Sequence, residues 1–187
     1  MKKIAIILGI IVIVLVILVA IPISSYNKIV TAHEEVSTKA STIDVQLKRR
    51  ADLIGNLLET VKGFAAHEKE IISSVTQARE NLMGAATTGE KALANEAATA
   101  AISSLLAIAE NYPDIKADAN FRQFADELAG TENRISVARM DYNNAVSNYN
   151  KRIITFPAVL FASAMGFEKA EYFEATEAET SAPNVQF

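Results

Sequence analysis

The chain has 187 residues, with 18 Lys+Arg against 22 Asp+Glu, two His, no Cys and no Trp, and a mean hydropathy of +0.17. The absence of cysteine excludes disulfides, zinc thiolate and iron–sulfur sites, thiol catalysis and a lipid-modified cysteine. Outside Lys2 and Lys3, 16 basic side chains face 22 acidic ones, a formal charge of −6 that argues against nucleic acid as a partner.

The positive hydropathy comes from one end. The first 23 residues contribute roughly twice the whole-chain total and leave the rest at about −0.2, ordinary for a water-soluble body. Ile4 to Ile23 holds no charged or strongly polar side chain, and as a helix it spans about 30 Å, the thickness of a bilayer's hydrocarbon core. The run exceeds the ~7–15 apolar residues of a signal peptide, and Ile17-Leu18-Val19-Ala20 is a poor cleavage site. An uncleaved anchor over residues 1–23 is therefore expected. Lys2 and Lys3 against Lys28 and Lys39 give only a small charge bias, and the short flank ahead of the span favours the amino terminus inside and the body outside.

After Pro22 and Ser24-Ser25, apolar positions step by alternating four and three residues, the pattern of a helix with a continuous seam. The seam reads Ile29, His33, Val36, Ala40, Ile43, Leu47, Arg50, Ile54, Leu57, Val61, Phe64, Glu68, Ile71, Val75, Ala78, Leu82, interrupted by His33, Arg50 and Glu68. Unbroken, it predicts a rod of about 80 Å, with Gly55 and Gly63 as possible bends. Met83 to Gly89 reads as a loop. A second helix is expected over Glu90 to Asn111, with Leu93, Ala97, Ala100, Ser104 and Ile108 along one face and Leu105 and Leu106 beside it, ended by Tyr112-Pro113. Asp118 or Asn120 caps a third helix of about 36 residues, whose seam runs Phe121, Phe124, Leu128, Thr131, Ile135, Ala138, Tyr142, Ala145, Tyr149 and carries through Gly130. Phe156-Pro157 ends or kinks it, and Ala158 to Gly166 has the apolar content of a short packed helix. Residues 168–187 form an acidic tail closing on Pro183 to Phe187. With no strand pattern outside the span, the expected fold is all-α: a transmembrane helix (1–23), then a long-helix antiparallel bundle (24–167).

Catalytic chemistry finds little footing. Neither His33-Glu34 nor His67-Glu68 makes a metal motif: a helical zinc protease needs a second His where Ser37 and Ile71 stand, and a di-iron bundle needs Glu where Val30 and Phe64 stand. No Walker sequence, dinucleotide fingerprint or nucleophile elbow occurs. No metal, no cofactor and no enzymatic activity are expected. The charges of Arg50 and Glu68 within the seam must either pair across the bundle or mark where the seam opens. Tyr142-Asn143 and Tyr149-Asn150 lie seven residues apart on one helical face and suit a half-buried helix interface, within the monomer or between protomers. Lys48-Arg49-Arg50, the strong basic cluster of the body, reads as a solvated or salt-bridged face.

Ile43 to Gly63 (IDVQLKRRADLIGNLLETVKG), His67-Glu68, Ala78-Arg79, Glu110 to Lys116 (ENYPDIK), Asn120-Phe121, Thr131 to Ile135 (TENRI), Ala138-Arg139, the two later Tyr-Asn pairs, Phe156-Pro157 and the closing Pro183 to Phe187 together resemble the bacterial LemA family. Gly55 departs from it, since the family commonly carries proline there. The resemblance implies a single-span inner or plasma membrane protein, a long-helix bundle and no established biochemical activity. It also implies an association with membrane organisation, magnetosome membranes included, and with the neighbourhood of envelope metalloproteases.

The expectation that follows is a non-enzymatic, membrane-anchored scaffold of the bacterial cell envelope that self-assembles as a homo-oligomer, its body periplasmic or extracellular. The alternative is an envelope adaptor that presents a peptide or docking surface to a membrane protease or another partner, with Val185 and Phe187 in the docking tail. Candidate interface and specificity residues are Arg50, Glu68, Tyr142, Tyr149, Val185 and Phe187.

Overall fold

The computed structural model describes residues 2–63 and 68–174, with side chains from Ile7 onward except at positions 14 and 17–19. Most of the described residues are helical, with no strand among them. The helices are α1 (Lys2–Lys62), α2 (Lys69–Gly84), α3 (Thr88–Ala109), the one-turn α4 (Pro113–Ala117) and α5 (Ala119–Ile154), followed by 3-10 turns at Ala158–Leu160 and Ser163–Met165. Two compact units result. One comprises the residues up to Lys39 with Asn143–Glu171, and the other comprises Ala40–Tyr142 with the residues from Tyr172.

α1 joins what the sequence divides. The apolar run and the first seam belong to a single 61-residue helix, which carries Pro22 in its interior. A proline there forfeits one backbone hydrogen bond and crowds the preceding turn. The seam to Leu82 is not one unbroken rod, since α1 stops at Lys62 and α2 begins at Lys69. The four-three stepping survives that break because both helices turn their apolar face to the same core. Gly63 falls at the end of α1, as one of the two anticipated bends, whereas Gly55 lies within the helix and serves a different purpose. A Cβ at Gly55 would meet Arg79 Nε at 3.2 Å, and that nitrogen donates to the Ala51 carbonyl at 2.9 Å. The missing side chain lets α2 reach the α1 backbone.

In the second unit the core is built on Ile43, Leu47, Ile54, Leu57 and Val61 of α1, Val75, Ala78 and Leu82 of α2, and Phe121, Leu128 and Ile135 of α5, all buried. Burying each large aliphatic side chain is worth about 1.5–3 kcal/mol. Thr131, fully buried in the α5 seam, is satisfied within its own helix by donating to the Leu128 carbonyl at 2.7 Å. Asp118 is the cap of α5, its Oδ1 accepting from the Phe121 N–H at 2.9 Å.

α3 corrects the sequence reading. Its start is a capping box: Thr87 accepts from the Glu90 N–H at 3.2 Å while the Glu90 carboxylate accepts from the Thr87 N–H at 2.9 Å. Its buried face is Ala94, Asn95, Ala98, Ala101, Ile102, Leu105 and Ala109. The expected face is rotated away, with Leu93 61 % exposed and Ala97, Ala100 and Ser104 exposed beside it. By length and composition α3 could cross a membrane, with a mean hydropathy of 1.4. Its buried residues and its polar contacts to α1 make it a core helix of this unit.

In the first unit, Ile29, Ala32 and Val36 of α1 and Ala145, Val146, Tyr149 and Ile153 of α5 are buried. His33 lies at the edge, its ring 5.4 Å from that of Tyr149 in an edge-on contact. The short packed helix expected over Ala158 to Gly166 is instead the pair of 3-10 turns, which bury Ala158 and Ala162 and close on Gly166 at φ 81. That left-handed conformation favours glycine. The chain then runs extended along α5. The Asn150 side chain donates to the Ala170 carbonyl and accepts from the Ala170 N–H, both at 2.9 Å. Tyr149 donates to the Glu168 carbonyl at 2.8 Å.

Candidate functional site

A polar cluster that joins three helices centres on Arg50 in the second unit. Its side chain is 3 % exposed. One guanidinium nitrogen donates to Asn95 Oδ1 at 2.7 Å and to the Glu132 carboxylate, and the other donates to Thr99 Oγ1 at 3.0 Å. Thr99 in turn donates to the Asn95 carbonyl at 3.0 Å. Three helices are thereby fastened at one point: α1 supplies the cation, α3 two neutral acceptors four residues apart, and α5 the anion. Burial pulls the guanidinium below its ordinary pKa, and the Glu132 charge and hydrogen bond pull it back. Arg50 Nε has no partner, an unrecovered desolvation cost inside an otherwise satisfied cluster.

The rest of the basic cluster disperses. Lys48 faces Asp52 on its own helix at 3.8 Å, and Arg49 reaches Glu127 of α5 at 3.4 Å; both pairs are solvent-exposed. Glu68 is far from this network in role. It precedes α2 and accepts from the Tyr112 hydroxyl at 2.7 Å, which raises the tyrosine's pKa. Tyr142 is buried in the second unit, lining a small cavity with Ile43, Lys91 and Phe173. The Phe173 ring carries Arg139 5.2 Å from its centroid. Tyr149 is buried in the first unit, and burial, then Glu168, raises its pKa. Val185 and Phe187 lie outside the described residues.

Asn95, Thr99 and Glu132 escaped the sequence reading. Asn95 becomes conspicuous only once α3 is placed in its true register, as the one amide on a face of alanines. Glu132 sits next to the Thr131 seam position and was open to detection as an acid flanking a core. Asn150 was visible as half of a Tyr-Asn pair, but its partner is backbone and carries no sequence signal.

Chemically, the cluster holds helices rather than a substrate. Its adjoining cavity of about 80 Å³ is lined by Asn95, Glu96, Thr99, Glu132, Arg139 and Glu174, well below the roughly 300–1,000 Å³ of organic-ligand pockets. Among the described residues no three of His, Asp and Glu converge as metal ligands. The open groove between α2 and α3, about 580 Å³, is lined by Glu80, Asn81, Glu90, Leu93 and Ala97 among others, and Glu90 is already committed to its cap.

The LemA family profile matches residues 39–187, most of the chain and all of the bundle's polar centre. The chain belongs to the LemA family. It is 32 % identical over 175 residues to the magnetosome protein MamQ 2 of Paramagnetospirillum magneticum, covering 80 % of this chain and 64 % of that protein. It is 27 % identical over 174 residues to the magnetosome protein MamQ of Magnetospirillum gryphiswaldense, covering 79 % and 64 %. To the protein LemA of Metamycoplasma hominis it is 25 % identical over 154 residues, covering 82 % and 70 %. The chain thus spans just under two thirds of the length of its magnetosome relatives. Family membership and the exposed apolar start of α1 fit a membrane-associated helical protein.

Proposed function

We propose that this LemA-family chain is a non-enzymatic, single-pass scaffold of the bacterial cell envelope. In this reading it is anchored through Ile4 to Ile23, carries its body on the periplasmic or extracellular side, and self-assembles to organise membrane. One observation carries the reading: α1 passes from a stretch in which Ile7, Leu8, Ile11, Ile13, Val16 and Ile23 are all exposed into a stretch in which Ile29, Val36 and Ile43 are buried, without a helical break. Apolar side chains left open in succession on all sides of a helix need a non-aqueous solvent. The same helix supplies core residues to each unit. The magnetosome relatives support a role at membranes.

Two measurements test this. The full chain in mild detergent is weighed by light scattering across a concentration series; a monomer at every concentration overturns self-assembly. Protease access to tags on the two ends of the chain in intact cells, with a carboxyl-terminal tag protected from outside, would overturn the sidedness.

A further inference from the structure

We propose that the tip after α5, residues 155–166, is a second membrane contact. Phe156 and Leu160 enter the headgroup–acyl boundary, and Lys151 and Arg152 meet anionic headgroups. This rests on the reading that Ile4 to Ile23 lies in the bilayer.

The first unit places the tip at the end of that span. Tyr149 touches His33, and further along the chain the Phe167 ring meets that of Tyr26 in a tilted contact at 5.7 Å, so the later segment runs back toward the beginning of α1. Tyr26 is three residues past Ile23, about 4.5 Å along the helix. On α1, the face Ile29, Ser25, Pro22 is buried, half-buried and half-buried, while Ile21 and Ile23 are open. Among the described side chains of that face, Leu15 is open and Pro22, inside the apolar run, is half-buried, so the residues between Ile154 and Phe167 lie near the bilayer boundary.

The tip's outward chemistry matches that position. Ala158 and Ala162 turn inward, while Phe156 is 75 % and Leu160 73 % exposed, with Val159 and Met165 about half exposed. Large apolar side chains are facing out where a water-soluble tip would place polar ones. From Lys151 to Phe167 the chain carries two cations and no acid, in a body of net −6. Lys151 and Arg152, both exposed, sit about one turn before Phe156, a rise of roughly 6 Å that matches the headgroup layer. Anionic lipid is thus the occupant that both the apolar and the charged features select, and the patch is continuous with the anchor.

The chain contains no cysteine, so single Phe156→Cys and Leu160→Cys variants of the full protein can each carry one environment-sensitive fluorophore, with Met165→Cys as a third position and helicity as the folding check. Proteins are placed in phosphatidylcholine vesicles with or without phosphatidylglycerol, using lipid-borne quenchers at shallow and deep positions and aqueous iodide. Ile13→Cys reports the span, and Glu35→Cys reports water. The expected result is blue-shifted emission from positions 156 and 160, quenched by the shallow probe and more so with phosphatidylglycerol, while position 13 is quenched by the deep probe. If 156 and 160 behave like 35 while 13 is quenched deeply, the tip contact is overturned and the anchor stands. Lack of deep quenching at 13 overturns the anchor itself. Shielding of 156 and 160 from both lipid probes and iodide would mean that protein covers the tip, which also refutes the proposal. Equal quenching in the two vesicles removes the role given to Lys151 and Arg152.

Discussion

Separating Arg50 from Glu132 is the sharpest test of how the bundle is held. Breaking a fully buried ion pair costs about 3–5 kcal/mol, and an exposed pair is worth at most about 1 kcal/mol. Arg50 is 3 % exposed and Glu132 44 %, so the pair lies between these limits. Glu132→Gln leaves the guanidinium on Asn95 and Thr99, neutral partners at 2.7 and 3.0 Å, and should cost about 2 kcal/mol. Arg50→Ala additionally orphans the buried Asn95 amide and empties the space of the side-chain stem, for about 3–4 kcal/mol. Arg50→Met refills that space and abolishes the unpartnered Nε, so its cost should fall to about 1–2 kcal/mol, the orphaned amide alone. Arg49→Ala is the internal control, because its 3.4 Å contact with Glu127 is exposed; it should cost less than about 1 kcal/mol and lose that in high salt. Urea unfolding of the full chain in mild detergent, followed by circular dichroism at low and high salt, reads all four variants. The reasoning is refuted if Arg50→Ala is no more damaging than Arg49→Ala, or if Arg50→Ala and Glu132→Gln add without coupling in the double mutant.

Thr87→Ala should destabilise the protein by about 1 kcal/mol in the same assay through loss of the α3 cap. The N–H groups of Thr87 and Ala86 hold the Glu90 carboxyl below its ordinary pKa; its contribution is therefore present above the unfolded-state value and disappears as pH falls through the folded one, so the difference between Glu90→Gln and the parent should vanish in acid. Asn150→Ala removes both bonds to Ala170, and hydrogen exchange should show the Ala170 amide losing its protection with α5 unaffected. Gly130→Ala, where a Cβ meets Arg134 at an unstrained 3.8 Å, should raise stability by about 1 kcal/mol. At Gly55 the same change displaces Arg79 from the Ala51 carbonyl, so Gly55→Ala should gain clearly less; an equal gain would show that the close approach does no stabilising work.

The two long seams were legible because their contrast is large. Ile, Leu, Val and aromatic residues alternate with Lys, Glu, Asp and Asn, so each register has only one low-energy rotation. α3 lacks that contrast. Alanine occurs on every side of it, Leu93 and Leu105 fall on different faces, and a helix of alanines is rotated by its neighbours rather than by its own pattern. Leu93 drew the reading to the wrong face, and only the partners of Asn95 and Thr99 fix the right one. The split between α1 and α2 left no mark on the apolar period, since a chain reversal that keeps the same side inward leaves it intact; Gly63 alone pointed to the place.

Lys48-Arg49-Arg50 shows most directly where a linear reading stops. Adjacent cations on a helix point about 100° apart, and here they find three unrelated environments: Asp52 on the same helix, Glu127 across the surface, and the interior with Asn95, Thr99 and Glu132. What reads as a basic cluster is one exposed pair within α1, one surface pair between helices and one internal fastener. The seam period alone distinguished Arg50 from its neighbours, because it occupies a position that otherwise belongs to Leu47 and Ile54. A charge identified by its place in an apolar period, rather than by its sequence neighbours, is the one whose removal the bundle should feel.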